Sequence, residues 1–68
     1  MIEVFKTDVT QLEAASFLAA QISGVFGYRV NFDLGDCDRI LRVEGEDVNI
    51  EQIMGLVKGN GFRCSVLD

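Results

Sequence analysis

The feature that most constrains this chain is the way its apolar residues change period along 68 positions. They recur every second residue, then at helical spacing, then every second residue in two runs, then at helical spacing, then every second residue again. Period two puts alternate side chains on opposite faces of a strand, and a period near 3.6 lines one side of a helix. Met1 to Lys6 alternates, with Ile2 and Val4 on one side and Glu3 and Phe5 on the other. That predicts a short strand that buries Ile2 and Val4 and leaves Phe5 on the outer face.

Thr10 and Glu13, three residues apart, form a capping-box signature in which a hydroxyl and a carboxylate satisfy free helix amides. The spacing predicts a helix from Gln11 to Ser23, with Ala15, Leu18, Ala19 and Ile22 on one stripe, Leu12 at its margin and Gly24 as the stop. Phe17 falls nearly opposite that stripe and is expected to be exposed. From Tyr28 the period is two: Tyr28, Val30, Phe32 and Leu34 face one way, Arg29, Asn31 and Asp33 the other. Gly35-Asp36-Cys37-Asp38 is turn chemistry. The run after it turns Leu41 and Val43 inward and Ile40, Arg42 and Glu44 outward. Asn49 to Gln52 reads as a second helix start, with Val48 placed to staple onto Ile53, and Gly59-Asn60-Gly61 ends that helix. Phe62, Cys64 and Val66 are the inward residues of a last strand. The β-α-β-β-α-β order predicts an α+β, ferredoxin-like fold: a four-stranded antiparallel sheet with two helices on one face. Residues 1–68 are expected to form one domain, near the lower size limit for independent folding.

Composition narrows the chemistry. The chain has no histidine, which removes the commonest general base and the commonest metal ligand. No nucleophile–base pair is evident, and so small a body leaves little room for a deep pocket, so a noncatalytic protein without a cofactor is expected. A net charge of −5 works against binding nucleic acid or anionic membranes. No stretch approaches the roughly 18 consecutive apolar residues of a membrane span, and the first residues lack a basic segment followed by an apolar run. Two cysteines in unlike contexts, Cys37 in an acidic turn and Cys64 among apolar residues, point to reduced thiols and a cytoplasmic setting.

Gly24-Val25, Phe32-Asp33-Leu34, Val43-Glu44-Gly45, Ile50, Ile53 and Gly61-Phe62, in that order, resemble the heavy-metal-associated domain family, the small copper chaperone and metal-ATPase modules. The resemblance covers almost the whole chain, with a slightly longer stretch from Gly24 to Leu34. It implies the same ferredoxin-like fold and a use of the first loop and first helix for protein contacts. In that family the loop after the first strand reads roughly Gly-Met-x-Cys-x-x-Cys, and its thiolates bind a soft metal such as Cu(I). The corresponding stretch here runs from Asp8 to Ala14, with Val9 at the methionine position, Thr10 at a frequent threonine, and Gln11 and Ala14 at the cysteine positions. An amide and a methyl group cannot replace two thiolates for a soft ion. The resemblance therefore implies the fold without the metal.

Other candidate sites are weaker. Asp8, Thr10, Gln11 and Glu13 offer oxygen atoms to a hard cation such as Ca²⁺, Mg²⁺ or Mn²⁺, but equally serve as helix-capping residues. Asp33, Asp36 and Asp38, with Cys37, make an acidic patch without the ligand spacing of a calcium loop, and a solvated turn explains them. Pleat parity places Arg29, Asn31, Arg42 and Arg63 on the uncovered sheet face, with Phe5 and Ile40 as its apolar members; Glu3, Asp33 and Glu44 stand ready to pair those arginines. The expected function is a small binding or adaptor module contacting an unidentified protein, or a second copy, through Val9, Thr10, Glu13, Phe17 and Phe26. The alternative is a sensor of a small ligand or hard metal.

Overall fold

The structure is a computed structural model and describes residues 1–67; Asp68, the last residue of the expected domain, lies outside the described residues. The elements are β1 (Ile2–Thr7), α1 (Leu12–Phe26), β2 (Arg29–Asp33), β3 (Ile40–Glu44), α2 (Ile50–Gly59) and β4 (Cys64–Val66). The strands form one antiparallel sheet in the order β2-β3-β1-β4. Ile22 of α1 and Ile53 and Val57 of α2 share a core cluster with Phe5, Leu41, Val43 and Cys64 of the sheet. Both helices therefore cover the same face, and the fold is the ferredoxin-like α+β arrangement that the periodicity predicts.

Register corrects the assignment of faces in β1. Phe5 stands opposite Leu41 of β3 and Val66 of β4, and Phe32 stands opposite Leu41 from the other side. Directly opposed residues in antiparallel strands point to the same face, so Phe5 follows Leu41 into the core and is fully buried. Ile2, at 58% exposure, goes to the open face with its partner Glu44. The larger side chain at the middle of the central strand takes the buried position. Ile40 stands between Lys6 and Asp33 on the open face, as parity requires, yet is itself buried and belongs to neither core cluster.

Helix α1 starts one residue later and ends three residues later than its sequence signals suggest. Val9 is fully buried against Ala15 and Leu18, which fixes how the chain enters the helix. Gln11 becomes the N-cap and makes no side-chain capping bond, so the capping box of Thr10 and Glu13 does not form. At the other end, Gly24 is helical and Gly27, with φ of 75°, terminates the helix in the left-handed conformation that glycine adopts without steric penalty. Helix α2 follows its local signals more closely. The Asn49 side chain accepts a hydrogen bond from the Gln52 N–H at 3.0 Å, and Val48 shares the core cluster with Ile53.

Candidate functional site

Three segments meet at the end of the sheet where β1 gives way to α1. The Thr7 N–H donates to the Asp38 carbonyl at 3.0 Å, and the Thr7 hydroxyl donates to the Arg39 carbonyl at 2.6 Å. These bonds tie the β2–β3 turn to the first loop. The Arg63 N–H donates to Asp8 Oδ1 at 2.8 Å, which ties the approach to β4 to the same loop. Thr7 itself is buried, and its Oγ also accepts from the Val9 N–H at 3.2 Å.

The candidate residues are distributed unevenly over this end. Thr10, Gln11 and Glu13 are exposed, Ala14 is half-buried, and Val9 is inside the protein, so it cannot contribute to an interface. Asp8 and Asp33 are exposed and apart from the tightest acidic cluster. That cluster is Asp36, Cys37 and Asp38, whose ligand atoms lie within 4.8 Å of one another; Asp8, Glu13 and Asp33 join no such group among the described residues. Within the turn, Asp36 Oδ1 accepts from the Asp38 N–H at 2.9 Å, and Asp38 Oδ1 lies 4.0 Å from Lys6 Nζ. These contacts are ordinary turn chemistry with one weak, exposed ion pair. Cys37 is exposed and Cys64 is buried in β4. Burial pushes the Cys64 thiol up to about 11, against a smaller opposing pull from the Lys58 ammonium. A thiol held protonated in this way is neither a good nucleophile nor a good metal ligand.

The exposed surface of α1 carries a second feature. Phe17 is 56% exposed and Val25 is 69% exposed. With Gln21 between them they follow at i, i+4 and i+8, one ridge along a helix. Gln21 is held on this ridge by the Asn60 amide, which donates to its Oε1 at 3.0 Å. Phe26 is not part of the exposed surface. It is half-buried, packs on the core, and stacks on Tyr28 with ring centroids 5.4 Å apart. The longer helix turns Phe26 inward and gives its place at the surface to Val25, which reading Gly27 as the stop signal would have revealed. Leu12, at 74% exposure, is a second residue whose exposure the apolar stripe did not suggest. It lies about 140° around the helix from Phe17 and is not continuous with it.

Solved structures include one close match in shape. The chain superposes on the yeast copper transporter domain CCC2A, whose solution structure was determined in apo and Cu(I)-loaded states, with a TM-score of 0.84 and 16% sequence identity over 98% of this chain and 94% of that one. The two chains share the ferredoxin-like fold. At this identity the likeness concerns the backbone alone. No protein-family model matches the chain, and no curated protein sequence matches it.

Proposed function

We propose that this chain is a noncatalytic protein-binding module that uses the outer ridge of α1 and the exposed part of the first loop, and that it carries no thiophilic metal there. The observation that supports this reading is the ridge itself: two large apolar side chains, Phe17 and Val25, are more than half exposed on a helix that buries Ala15, Leu18 and Ile22. Exposed apolar surface of this kind marks contact sites more often as it becomes contiguous. The side chains beside it, Thr10, Gln11 and Glu13, are polar and exposed and suit the rim of an interface.

The yeast domain has a Cu(I)-loaded state. Here Gln11 and Ala14 stand at the positions that the family resemblance assigns to cysteines, and soft ions need soft ligands. A net charge of −5 favours a protein partner over nucleic acid or an anionic membrane, and among the described residues no helix is long and apolar enough to cross a membrane. Two free cysteines suit a cytoplasmic setting.

The test uses affinity-tagged wild type beside Phe17→Glu and Val25→Glu. Loss of a defined partner, or of a dimer in sedimentation velocity, with an unchanged melting temperature supports the proposal. Identical co-purification and hydrodynamic size in all three proteins removes it, and so does stoichiometric Cu(I) retained by the wild type.

A further inference from the structure

The face of the sheet that the helices leave uncovered has a charge pattern unlike the rest of the molecule. Register puts Arg29, Glu44 and Ile2 in one row across β2, β3 and β1, Asn31, Arg42 and Val4 in the next, and Asp33, Ile40 and Lys6 in the third. Three basic side chains thus face two acidic ones on a protein whose net charge is −5. The expected cross-strand pairing of the arginines does not form. Among the described residues the single ion pair is Lys6 with Asp38, which leaves the guanidinium groups of Arg29 and Arg42 uncommitted although Glu44 stands opposite Arg29. The two arginines line a shallow concavity of about 330 Å³ together with Ile2, Val30, Asn31 and Glu44.

We infer that this open face is a docking site for an acidic, extended segment of a partner protein, with Arg29 and Arg42 as the two carboxylate-binding forks. Each guanidinium presents a planar set of donors that matches a carboxylate bidentately. Arg29 and Arg42 are diagonal neighbours on adjacent strands, roughly 7–8 Å apart with their β-carbons somewhat closer. In an extended peptide, side chains two residues apart point the same way at about 6.6–6.8 Å. Two acidic residues at that spacing reach both forks, and the exposed Ile2 offers an apolar contact beside them. Glu44, opposite Arg29 and two residues from Arg42 on β3, and Asp33, at the end of β2, disfavour a uniformly acidic partner and select for placement of the charges. The site lies on the opposite side of the sheet from α1, so it is independent of the ridge at Phe17 and Val25.

The experiment is fluorescence anisotropy with a labelled eight-residue peptide alternating Glu and Ser, its counterpart with Gln in place of Glu, and an oligouridine of similar length. The Glu peptide is expected to bind, to weaken as salt is raised, and to weaken about tenfold on Arg29→Ala or Arg42→Ala. The Gln peptide is expected not to bind, and Phe17→Glu is expected to leave binding unchanged. Backbone amide shifts on adding the Glu peptide are expected in β2 and β3. No binding of the Glu peptide at millimolar concentration, equal binding of the Gln peptide, preference for the oligouridine, full affinity in the Arg29→Ala/Arg42→Ala double variant, or loss of binding in Phe17→Glu would each overturn the inference. Both arginines are exposed, so matched melting curves identify a loss of binding as local.

Discussion

The ring of Tyr28 lies across Gly45 so closely that a β-carbon on Gly45 would stand 2.5 Å from its Cδ1. The ring has little freedom to retreat. Its hydroxyl donates to the Asp47 carbonyl at 2.7 Å and accepts from the Asn49 N–H at 3.1 Å, and its face stacks on Phe26. Tyr28 thereby joins the start of β2 to the N-terminus of α2, with Gly45 beneath its ring. Gly45→Ala is expected to destabilise the fold by about 1–3 kcal/mol, the usual range for overpacking. A lower urea midpoint with an unchanged m-value is the expected signature, and a midpoint equal to wild type would show that the ring moves freely.

Thr7 organises the end of the sheet from inside. Its hydroxyl donates to the Arg39 carbonyl and accepts from the Val9 N–H, and the residue is 7% exposed. Thr7→Val keeps the shape and leaves two backbone groups without a partner. Unsatisfied buried groups cost about 1–3 kcal/mol, and Thr7→Ser is expected to recover most of that. Hydrogen exchange at the Val9 amide reads the effect directly: protection lost in Thr7→Val and kept in Thr7→Ser is the expected pattern. Equal protection in both variants would contradict it.

These two contacts also mark where sequence reasoning stops. Local signals identify the strands, the turn at Gly35 to Asp38 and the α2 start at Asn49, because each depends on neighbours within a few positions. The face of β1 depends on distant ones. Ile2 with Val4 and Glu3 with Phe5 both offer apolar residues, and only pairing with Leu41 and Val66 decides between them. Likewise Gly24 reads as the helix stop, and only the stacking of Phe26 on Tyr28 and the left-handed Gly27 beside it carry the helix further. Val9 reads as a loop residue until Ala15 and Leu18 close over it. At the candidate site the donor chemistry of Gln11 and Ala14 is legible, since residue type alone sets it. The ridge of Phe17 and Val25 is only half legible, because its second member depends on helix length.

Burial of Cys64 gives the fold a pH dependence at its alkaline end. The folded chain keeps the thiol proton up to about 11, against an ordinary value of 9.0. Below the ordinary value both folded and unfolded chains hold the proton, and the stabilisation from keeping it is fully present. Between the two values the unfolded chain alone releases it, so stability falls as pH rises. The loss is expected to reach about 2–3 kcal/mol as the folded thiol finally ionises. Urea midpoints across that alkaline window are expected to fall more steeply for wild type than for Cys64→Ala, in which the thiol is absent. Parallel pH profiles would show that this thiol does not control the slope.

The first loop offers a constructive test of the proposal that it holds no thiophilic metal. Gln11 is the exposed N-cap of α1 and Ala14 lies three residues into the first turn, a spacing that sets β-carbons about 5–6 Å apart on one side of a helix. The helix N-terminus also favours the anionic form of any thiol placed there. The double variant Gln11→Cys/Ala14→Cys is therefore expected to bind one equivalent of Cu(I) in competition with a chromophoric chelator, while wild type leaves the chelator loaded. Both proteins need Cys37→Ser as background, because the Thr7–Asp38 bond holds the turn bearing Cys37 against the same end of the sheet. Copper taken up by the background protein alone would mean that groups other than the missing pair bind it. A double variant that folds normally yet competes no better than the background would mean that the loop geometry, and not only residues 11 and 14, has departed from a metal site.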